Sequence, residues 1–425
     1  MSILLDWILI IISFLVLVKS YKNIVYSKNC SIANYVVIIL FVFCVLPILL
    51  NYIIGIPSYN TTYWYKPFLE PMKNEVVNSI YDIYILLCFL FLYFPFIRRT
   101  KNSELKKENS LTSLLRNNKI ISFLLISSPI FLIMLTNTWK NYLIFNVTAS
   151  RGFSENVNTS LMTPCLLISL ITFFATYYKE KLSFKKIILS VIYFFIIVWI
   201  SGKRFMIANI IILFIFYIVN MDLNNVTRKR IFRMIPILGL LLLVFSAFYL
   251  IQIRPLSNTS FDSVYEMLRV DFGRDDVIKY VINEEIINGE RILDYRGQSF
   301  IGLIASFIPR KVWPNKPYPH YMYLTASILS LNKFNLPAGT TPSLLEMTIC
   351  NFGKLGFLIG ILLLPLLCLM IDKCKDIDSK AIWLILFVVL LTQSMDVYLI
   401  AIVFYIAIKI FATIFKNKSI KFVWK

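Results

Sequence analysis

Apolar residues occur along the chain in long blocks that short polar stretches separate. The blocks lie near residues 3–18, 32–54, 77–97, 119–137, 160–178, 187–201, 205–220, 234–252, 352–371, 381–395 and 397–415. A helix rises about 1.5 Å per residue, so blocks of this length can cross a hydrocarbon layer about 30 Å thick. Membrane-spanning β-strands are shorter and alternate in polarity, unlike these blocks. The pattern therefore predicts an all-α, polytopic integral membrane protein with about 11 transmembrane helices.

The composition agrees with this prediction. Of the 425 residues, 58% are hydrophobic and only 16% are charged, and the mean hydropathy is +0.74. Such values do not fit a water-soluble globule. The sequence has no fixed-period repeat and no Gly/Ser or Pro linker, so residues 1–425 are predicted to form a single transmembrane domain. No basic residue lies in Met1–Asp6 at the start of the first apolar block and no small-residue cleavage pattern follows Val18, so we expect this block to be an uncleaved anchor.

The net charge of +20 is distributed unevenly along the chain. Most of the 43 basic residues fall in alternate loops, whereas the segments on the opposite side are close to neutral. Basic loops mark the cytoplasmic side, so the N-terminus is predicted outside and the C-terminus inside. Anionic inner-leaflet lipid attracts these loops. Because no basic groove remains after this assignment, nucleic acid is excluded as a partner.

The eighth and ninth blocks are separated by residues 254–351, predicted to form a large helical loop on the outer face. Ser260 can cap a helix over residues 261–270, and residues 275–287 carry an amphipathic helical stripe. Residues 299–308 are apolar but too few to span, which predicts an interfacial or re-entrant helix. Three prolines in residues 309–317 predict extended backbone. Loops of this length are usually functional.

Cations next to apolar surface are the most informative chemistry on the outer face. A guanidinium group binds diphosphate oxygens bidentately, and an ammonium group contributes a point charge. Arginines at a headgroup boundary can instead reach lipid phosphate or pair with carboxylates such as Asp271 and Asp275. The residues predicted to bind diphosphate or glycan are Lys203, Arg204, Arg254, Arg274, Arg310 and Lys311.

Two residues are candidate general bases. His320 titrates near neutral pH when unperturbed, although a lone loop histidine is more often inert. Glu346 lies just before the ninth block, where a carboxylate either acts as a base, pairs with one of the arginines or stabilises a helix N-terminus. With one histidine, seven scattered cysteines and no Gly-Lys-Ser/Thr nucleotide loop, the sequence predicts no metal site and no cofactor. Asp376 and Asp378 have the spacing of a metal-binding Asp-x-Asp motif, but a solvated cytoplasmic loop is the better interpretation.

Several short stretches together resemble a known family. They are Ser201-Gly202-Lys203-Arg204-Phe205, Arg254-Pro255, Gly297-Gln298-Ser299, Phe307-Ile308-Pro309-Arg310-Lys311-Val312-Trp313-Pro314-Asn315-Lys316-Pro317, and Glu346 ahead of Asn351-Phe352-Gly353-Lys354-Leu355-Gly356. This set resembles the bacterial oligosaccharide repeat-unit polymerases, the Wzy-type O-antigen polymerases. The resemblance implies an inner-membrane, metal-independent glycosyltransferase of GT-C-like architecture. It also implies a periplasmic reaction that makes O-antigen of lipopolysaccharide, or capsule-like polysaccharide, from repeat units linked to undecaprenyl diphosphate.

The resemblance also implies the partners. They are the undecaprenyl-diphosphate-linked oligosaccharide, membrane lipid and, as a further candidate, a chain-length regulator protein. An O-antigen ligase, which delivers the glycan to a lipid A core, remains an alternative because it uses the same donor and layout. A flippase of the lipid-linked unit is a second alternative, although such transporters usually carry functional charge within their spans and have short loops. An acyltransferase is a third, for which His320 is the one histidine the sequence offers.

Overall fold

The computed structural model describes residues 2–27, 30–60, 63–98, 119–137, 158–177, 184–201, 205–220, 260–336, 339–374 and 377–393, together with the single positions 139, 233, 402, 406 and 410. Every regular element in these ranges is helical. In chain order the helices are α1 (Ser2–Tyr26), α2 (Ala33–Ile53), α3 (Leu69–Lys73), α4 (Glu75–Ile97), α5 (Lys119–Leu135), α6 (Asn158–Tyr177), α7 (Phe184–Ser201), α8 (Phe205–Asn220), α9 (Phe261–Phe272), α10 (Asp275–Ile282), α11 (Gln298–Ile304), α12 (His320–Leu329), α13 (Leu344–Phe352), α14 (Leu355–Asp372) and α15 (Ile377–Thr392).

Four of the described helices, α1, α2, α4 and α14, are long and apolar enough to cross a membrane. Shorter apolar helices lie within α5, α6, α7 and α8. The chain is therefore an all-helical membrane protein. Each predicted apolar block that falls within the described ranges coincides with a helix, whereas residues 234–252 and most of residues 397–415 lie outside those ranges.

The chain divides into two compact units. The first comprises residues 1–102, 245–372 and 387–396, and the second comprises residues 103–244, 373–386 and 397–425. In the second unit α6 packs against α5, α7 and α8. The rings of Phe173 and Tyr193 stack with centroids 3.9 Å apart. Asp378 is buried and accepts a 2.8 Å hydrogen bond from the Tyr217 hydroxyl, so the prediction of a solvated loop is wrong for this residue. Asp376 lies outside the described ranges.

Close helix packing in the first unit depends on two glycines of α14. A Cβ atom on Gly356 would overlap the Thr348 carbonyl oxygen of α13, and one on Gly360 would overlap the Tyr84 hydroxyl oxygen of α4. Small residues let the backbones of membrane helices approach closely. The two glycines therefore hold α14 against the helix that carries Glu346 and against α4.

The segment that follows residue 259 belongs to the first unit. Helix α9 begins as the sequence predicts, with the Ser260 hydroxyl accepting a 3.3 Å hydrogen bond from the Ser263 amide. Helix α10 packs on α4 and α13 and ends in a π-helical turn over Asn283–Asn288. All eight residues of α10 are buried. Its apolar stripe packs as expected, but its polar face is buried as well, because ion pairs described below compensate its charges.

Residues 309–317 form two successive turns, which corrects the prediction of extended backbone. The amide of Val312 donates to the Pro309 carbonyl at 2.9 Å, and the amide of Lys316 donates to the Trp313 carbonyl at 3.1 Å. Proline fixes φ near the value that the second position of a turn requires, and Pro314 occupies that position in the second turn. The prolines exclude helix as predicted, but the amides between them still close turns.

Candidate functional site

Two stretches that carry the family resemblance lie against each other in the first unit. The amide of Gly297 donates to the Asn351 carbonyl at 3.1 Å, and the amide of Ser299 donates to Oδ1 of Asn351 at 3.0 Å. Gly297 and Gly353 both adopt positive φ, of 79° and 59°, which glycine tolerates without steric cost. The start of α11 and the end of α13 are therefore joined, although these residues are far apart in sequence.

Arg296 strengthens the same junction. Its Nη1 donates to the Cys350 carbonyl at 2.7 Å near the C-terminus of α13 and also binds the buried carboxylate of Glu285. A cation at a helix C-terminus is favoured by the helix dipole. The Arg296 side chain stays 36% exposed, so it is anchored on one side and open to solvent on the other. Nothing in the sequence around Arg296 indicates this contact, and Arg296 is not among the predicted binding residues.

His320 is the first residue of α12 and reaches back to α11. Its Nδ1 atom lies 2.7 Å from the Ser299 hydroxyl oxygen, and the residue is 2% exposed. Among the described residues, Nε2 has no hydrogen-bond partner although it is buried. Burial lowers the pKa of His320 to about 3, so the imidazole is neutral at physiological pH.

Glu346 is fully buried in the first turn of α13 and takes part in a capping box. Its two carboxylate oxygens accept hydrogen bonds from the amide and the hydroxyl of Ser343. Burial raises the pKa of Glu346 above its ordinary value, although the bonds from Ser343 oppose this shift. The Ser-x-x-Glu spacing of residues 343–346 is a known signature of such a cap. A role as general base stays a prediction, and each carboxylate oxygen keeps a second lone pair beside the one that Ser343 binds.

Arg274, predicted to bind diphosphate, is 4% exposed and directed at backbone carbonyls. Its guanidinium donates to the carbonyls of Gly273 at 2.7 Å and Thr392 at 3.1 Å. It also lies 5.8 Å from the centroid of the Phe43 ring. In this arrangement Arg274 connects α9 and α10 to the end of α15, and a diphosphate would have to displace those carbonyls to reach it.

Arg310 stabilises the two turns of residues 309–317. Its guanidinium donates to the carbonyls of Lys316 at 2.8 Å and Pro317 at 3.3 Å, and it stacks on the Tyr318 ring at 3.7 Å. Lys311 is exposed on the same loop. Gly302 of α11 contacts Pro317, since a Cβ at Gly302 would lie 3.1 Å from the proline Cβ. The loop is thus packed on α11, which also forms the junction with α13.

The other three predicted binding residues, Lys203, Arg204 and Arg254, lie outside the described residues. The described candidates therefore fall into two groups. Arg274 and Arg310 use their donors on backbone carbonyls, whereas Lys311 extends from an exposed loop.

A buried ion cluster surrounds the start of α10. The Arg269 guanidinium binds Asp275 in a bidentate manner at 2.9 and 3.1 Å, and Lys279 Nζ lies 3.8 Å from the same carboxylate. Burial alone would raise the pKa of Asp275, but the two cations hold it below its ordinary value. Burial and the neighbouring Asp275 raise the pKa of Asp276 to about 6. Pairing of an arginine with Asp275 was the alternative interpretation of the sequence, and for Arg269 it is the one observed.

Comparisons with known proteins add no relative to this description. No family model, no curated protein and no solved structure matches the chain. Within the described ranges, no group of three or more His, Cys, Asp or Glu side chains has the arrangement that a metal ion needs.

Proposed function

We propose that this protein polymerises oligosaccharide repeat units linked to undecaprenyl diphosphate, at the periplasmic face of a bacterial inner membrane. The proposed topology has about 11 transmembrane helices, the N-terminus outside, the C-terminus inside and residues 254–351 as the large periplasmic loop. The product is O-antigen or a capsule-like polysaccharide. A chain-length regulator protein is a proposed partner, and no cofactor takes part.

The junction between α11 and α13 is the observation that carries this proposal. It joins Gly297 and Ser299 to Asn351, places His320 against Ser299, and sets the loop of Arg310 on Gly302. Three of the five stretches that resemble the polymerases, residues 297–299, 307–317 and 346–356, thus lie in one substructure, whereas Lys203, Arg204 and Arg254 lie outside the described residues.

The proposed reaction transfers the growing glycan to the acceptor repeat unit. A sugar hydroxyl oxygen of the acceptor attacks the anomeric carbon of the donor, and the bond from that carbon to the diphosphate oxygen breaks. The undecaprenyl diphosphate leaves with the bonding electrons, and the hydroxyl proton passes to a protein base, for which Glu346 and His320 are the candidates. Lys203, Arg204, Arg254 and Lys311 are proposed to hold the departing diphosphate. Two charge-assisted bonds that strengthen as it leaves contribute about 1.5 to 3 kcal/mol each, or about 10² to 10⁴ in rate.

Transport of the same lipid-linked unit is a second candidate, and one observation favours it. Asp82 is 1% exposed within α4, where its carboxyl group lies beside the carboxyl group of Asp6 from α1. Ionisable residues inside membrane-spanning helices often mark transport pathways or proton relays. The Wzy-type resemblance does not account for this carboxylate.

Reconstitution in vesicles separates these functions. The full chain is supplied with only lipid-linked repeat units, and the products are resolved by electrophoresis. A polymerase gives a ladder of longer glycans, whereas a ligase makes no product until lipid A core is added. A flippase moves the repeat unit across the bilayer without forming a bond. Absence of a ladder from correctly oriented, folded protein would exclude the polymerase.

A variant pair tests the diphosphate ligands in the same assay. Lys311→Ala is expected to shorten or abolish the ladder. Lys333→Ala is the matched control, because Lys333 forms an ion pair with Asp294 and has no proposed contact with substrate. Equal ladders from both variants would remove Lys311 from the site.

A further inference from the structure

In the buried imidazole of His320, Nδ1 has a hydrogen-bond partner and Nε2 has none among the described residues. Ser299 Oγ lies 2.7 Å from Nδ1, and no other hydrogen bond of the Ser299 hydroxyl occurs among the described residues. A serine hydroxyl always carries a proton that it donates where an acceptor is in reach. Donation from the Ser299 hydroxyl to Nδ1 satisfies both groups, whereas the reverse direction leaves the hydroxyl proton without an acceptor among the described residues.

This hydrogen bond fixes the tautomer of the imidazole. In a neutral imidazole one nitrogen accepts and the other carries the proton, so an accepting Nδ1 places the proton on Nε2. The ring is neutral because His320 is 2% exposed, and because a position in the first turn of α12 disfavours a cation. His320 therefore presents an N–H donor through Nε2.

The Nε2–H group has no acceptor among the described residues. A buried donor without an acceptor costs roughly 1 to 3 kcal/mol, and native proteins seldom retain one without a function or a bound molecule. The group lies in the substructure that holds the resembling stretches, next to α11 and the loop of Arg310. An acceptor oxygen, of a ligand or of an ordered water, would satisfy this donor.

We propose that Ser299 is a positioning residue that holds His320 in the Nε2–H form, and that Nε2–H donates a hydrogen bond to an oxygen of the lipid-linked glycan. This inference rests on the proposed function for the identity of the ligand. It changes the role of His320 from proton acceptor to hydrogen-bond donor. A neutral imidazole donor stabilises negative charge that develops on oxygen without giving up its proton.

The oxygen can belong to the diphosphate or to a sugar. Both are acceptors, but only the diphosphate oxygens gain charge as the glycosyl bond breaks. The base in the reaction then becomes Glu346 or a group outside the described residues.

The sequence contains a single histidine, which makes the tautomer directly measurable. The full chain is prepared in nanodiscs with ¹⁵N-labelled histidine and a purification tag that lacks histidine, so every imidazole signal belongs to His320. The expected spectrum has an unprotonated, pyridine-like Nδ1 and a protonated, pyrrole-like Nε2, unchanged between pH 5 and pH 8. A protonated Nδ1 with an unprotonated Nε2 would overturn the proposal.

Variants test the contribution of Ser299. Ser299→Ala removes the donor to Nδ1 and is expected to give a mixture of tautomers. The matched control is Ser306→Ala, whose exposed side chain lies on the turn after α11. If Ser299→Ala leaves the tautomer as in the unmodified protein, Ser299 does not position the ring and the proposal is wrong in that part.

Two ligand titrations identify the oxygen that accepts the hydrogen bond from Nε2–H. Inorganic diphosphate and a lipid-free repeat-unit glycan are added separately, and the Nε2 resonance is followed. A shift with diphosphate alone assigns the donor to the leaving group, and a shift with glycan alone assigns it to a sugar. If neither probe shifts Nε2 while the same preparation forms a polymer ladder, the donor role is wrong and the proposed function stands. If the tautomer is as expected and Nε2 responds but no ladder forms, the inference stands and the polymerase proposal fails.

Discussion

The buried pair of Arg269 and Asp275 gives the sharpest test of how the first unit is stabilised. Arg269 is 2% exposed and Asp275 is 0% exposed, and two hydrogen bonds join them. In Asp275→Asn the side chain keeps its shape but loses its charge, so the buried cations Arg269 and Lys279 lose the carboxylate that they share. Breaking a buried pair in this way costs about 3 to 5 kcal/mol.

The matched control is an ion pair on the surface of the same unit. Lys333 and Asp294 lie 3.1 Å apart with side chains that are 27% and 58% exposed. Exposed pairs of this kind contribute about 0 to 1 kcal/mol. Asp294→Asn should therefore lower the free energy of unfolding by several-fold less than Asp275→Asn.

The assay is unfolding of the full chain in mixed micelles by titration with a denaturing detergent, followed by the loss of helical circular dichroism. A third variant separates charge from volume. Arg269→Met combined with Asp275→Leu and Lys279→Met removes all three charges, and it should recover most of the stability because well-packed apolar residues often replace a buried ion cluster without loss. Equal free energies of unfolding for Asp275→Asn and Asp294→Asn would refute the reasoning.

Three further predictions follow from individual contacts. Gly360→Ala should destabilise the protein by roughly 1 to 3 kcal/mol, because its Cβ overlaps the Tyr84 hydroxyl, and Tyr84→Phe in the same chain should recover part of this loss in thermal unfolding. The pKa of Asp276 is raised to about 6 in the folded protein, so folding favours its protonated form. The free energy of unfolding should therefore fall as the pH rises from about 4 to about 6. Asp276→Asn should abolish this pH dependence, and an unchanged dependence would exclude Asp276 as its source. Arg310→Lys should destabilise the loop of residues 309–317, because one ammonium group cannot replace two carbonyl contacts and the stack on a ring. Limited proteolysis should therefore cut this variant faster than Lys311→Ala.

The positions of the apolar helices were predictable because they depend on local composition. Helices of the required length need runs of apolar residues, and these runs are read directly from the sequence. The cap at Ser260 was predictable for a similar reason, since the capping oxygen and the amide that it satisfies are three residues apart. Within the described ranges, local signals of this kind located the helices well.

The contacts of the charged residues were not predictable from local sequence. Arg274 donates to the carbonyl of Thr392, which lies 118 positions further along the chain. The pattern of α10 indicated one apolar face, but it did not show that Asp275 and Lys279 would be buried, because their burial depends on Arg269 and on packing against α4. Likewise, the three prolines of residues 309–317 exclude helix, while the choice between extended backbone and turns depends on how Arg310 binds the carbonyls.

These contacts reorder the candidates for substrate binding. A cation that already donates to backbone carbonyls must give up those bonds before it can bind a diphosphate, and the carbonyls that it leaves then lack a donor. Arg274 would incur this cost in a buried setting, and Arg310 would also lose the fold of its loop. Lys311 does not carry the same cost because its side chain is exposed. His320 differs again, since the proposed Nε2–H has no acceptor among the described residues and would gain a bond from a ligand oxygen without losing one. Substrate binding at this junction is therefore expected to depend on Lys311 and His320, with Arg274 and Arg310 acting through the backbone that they hold in place.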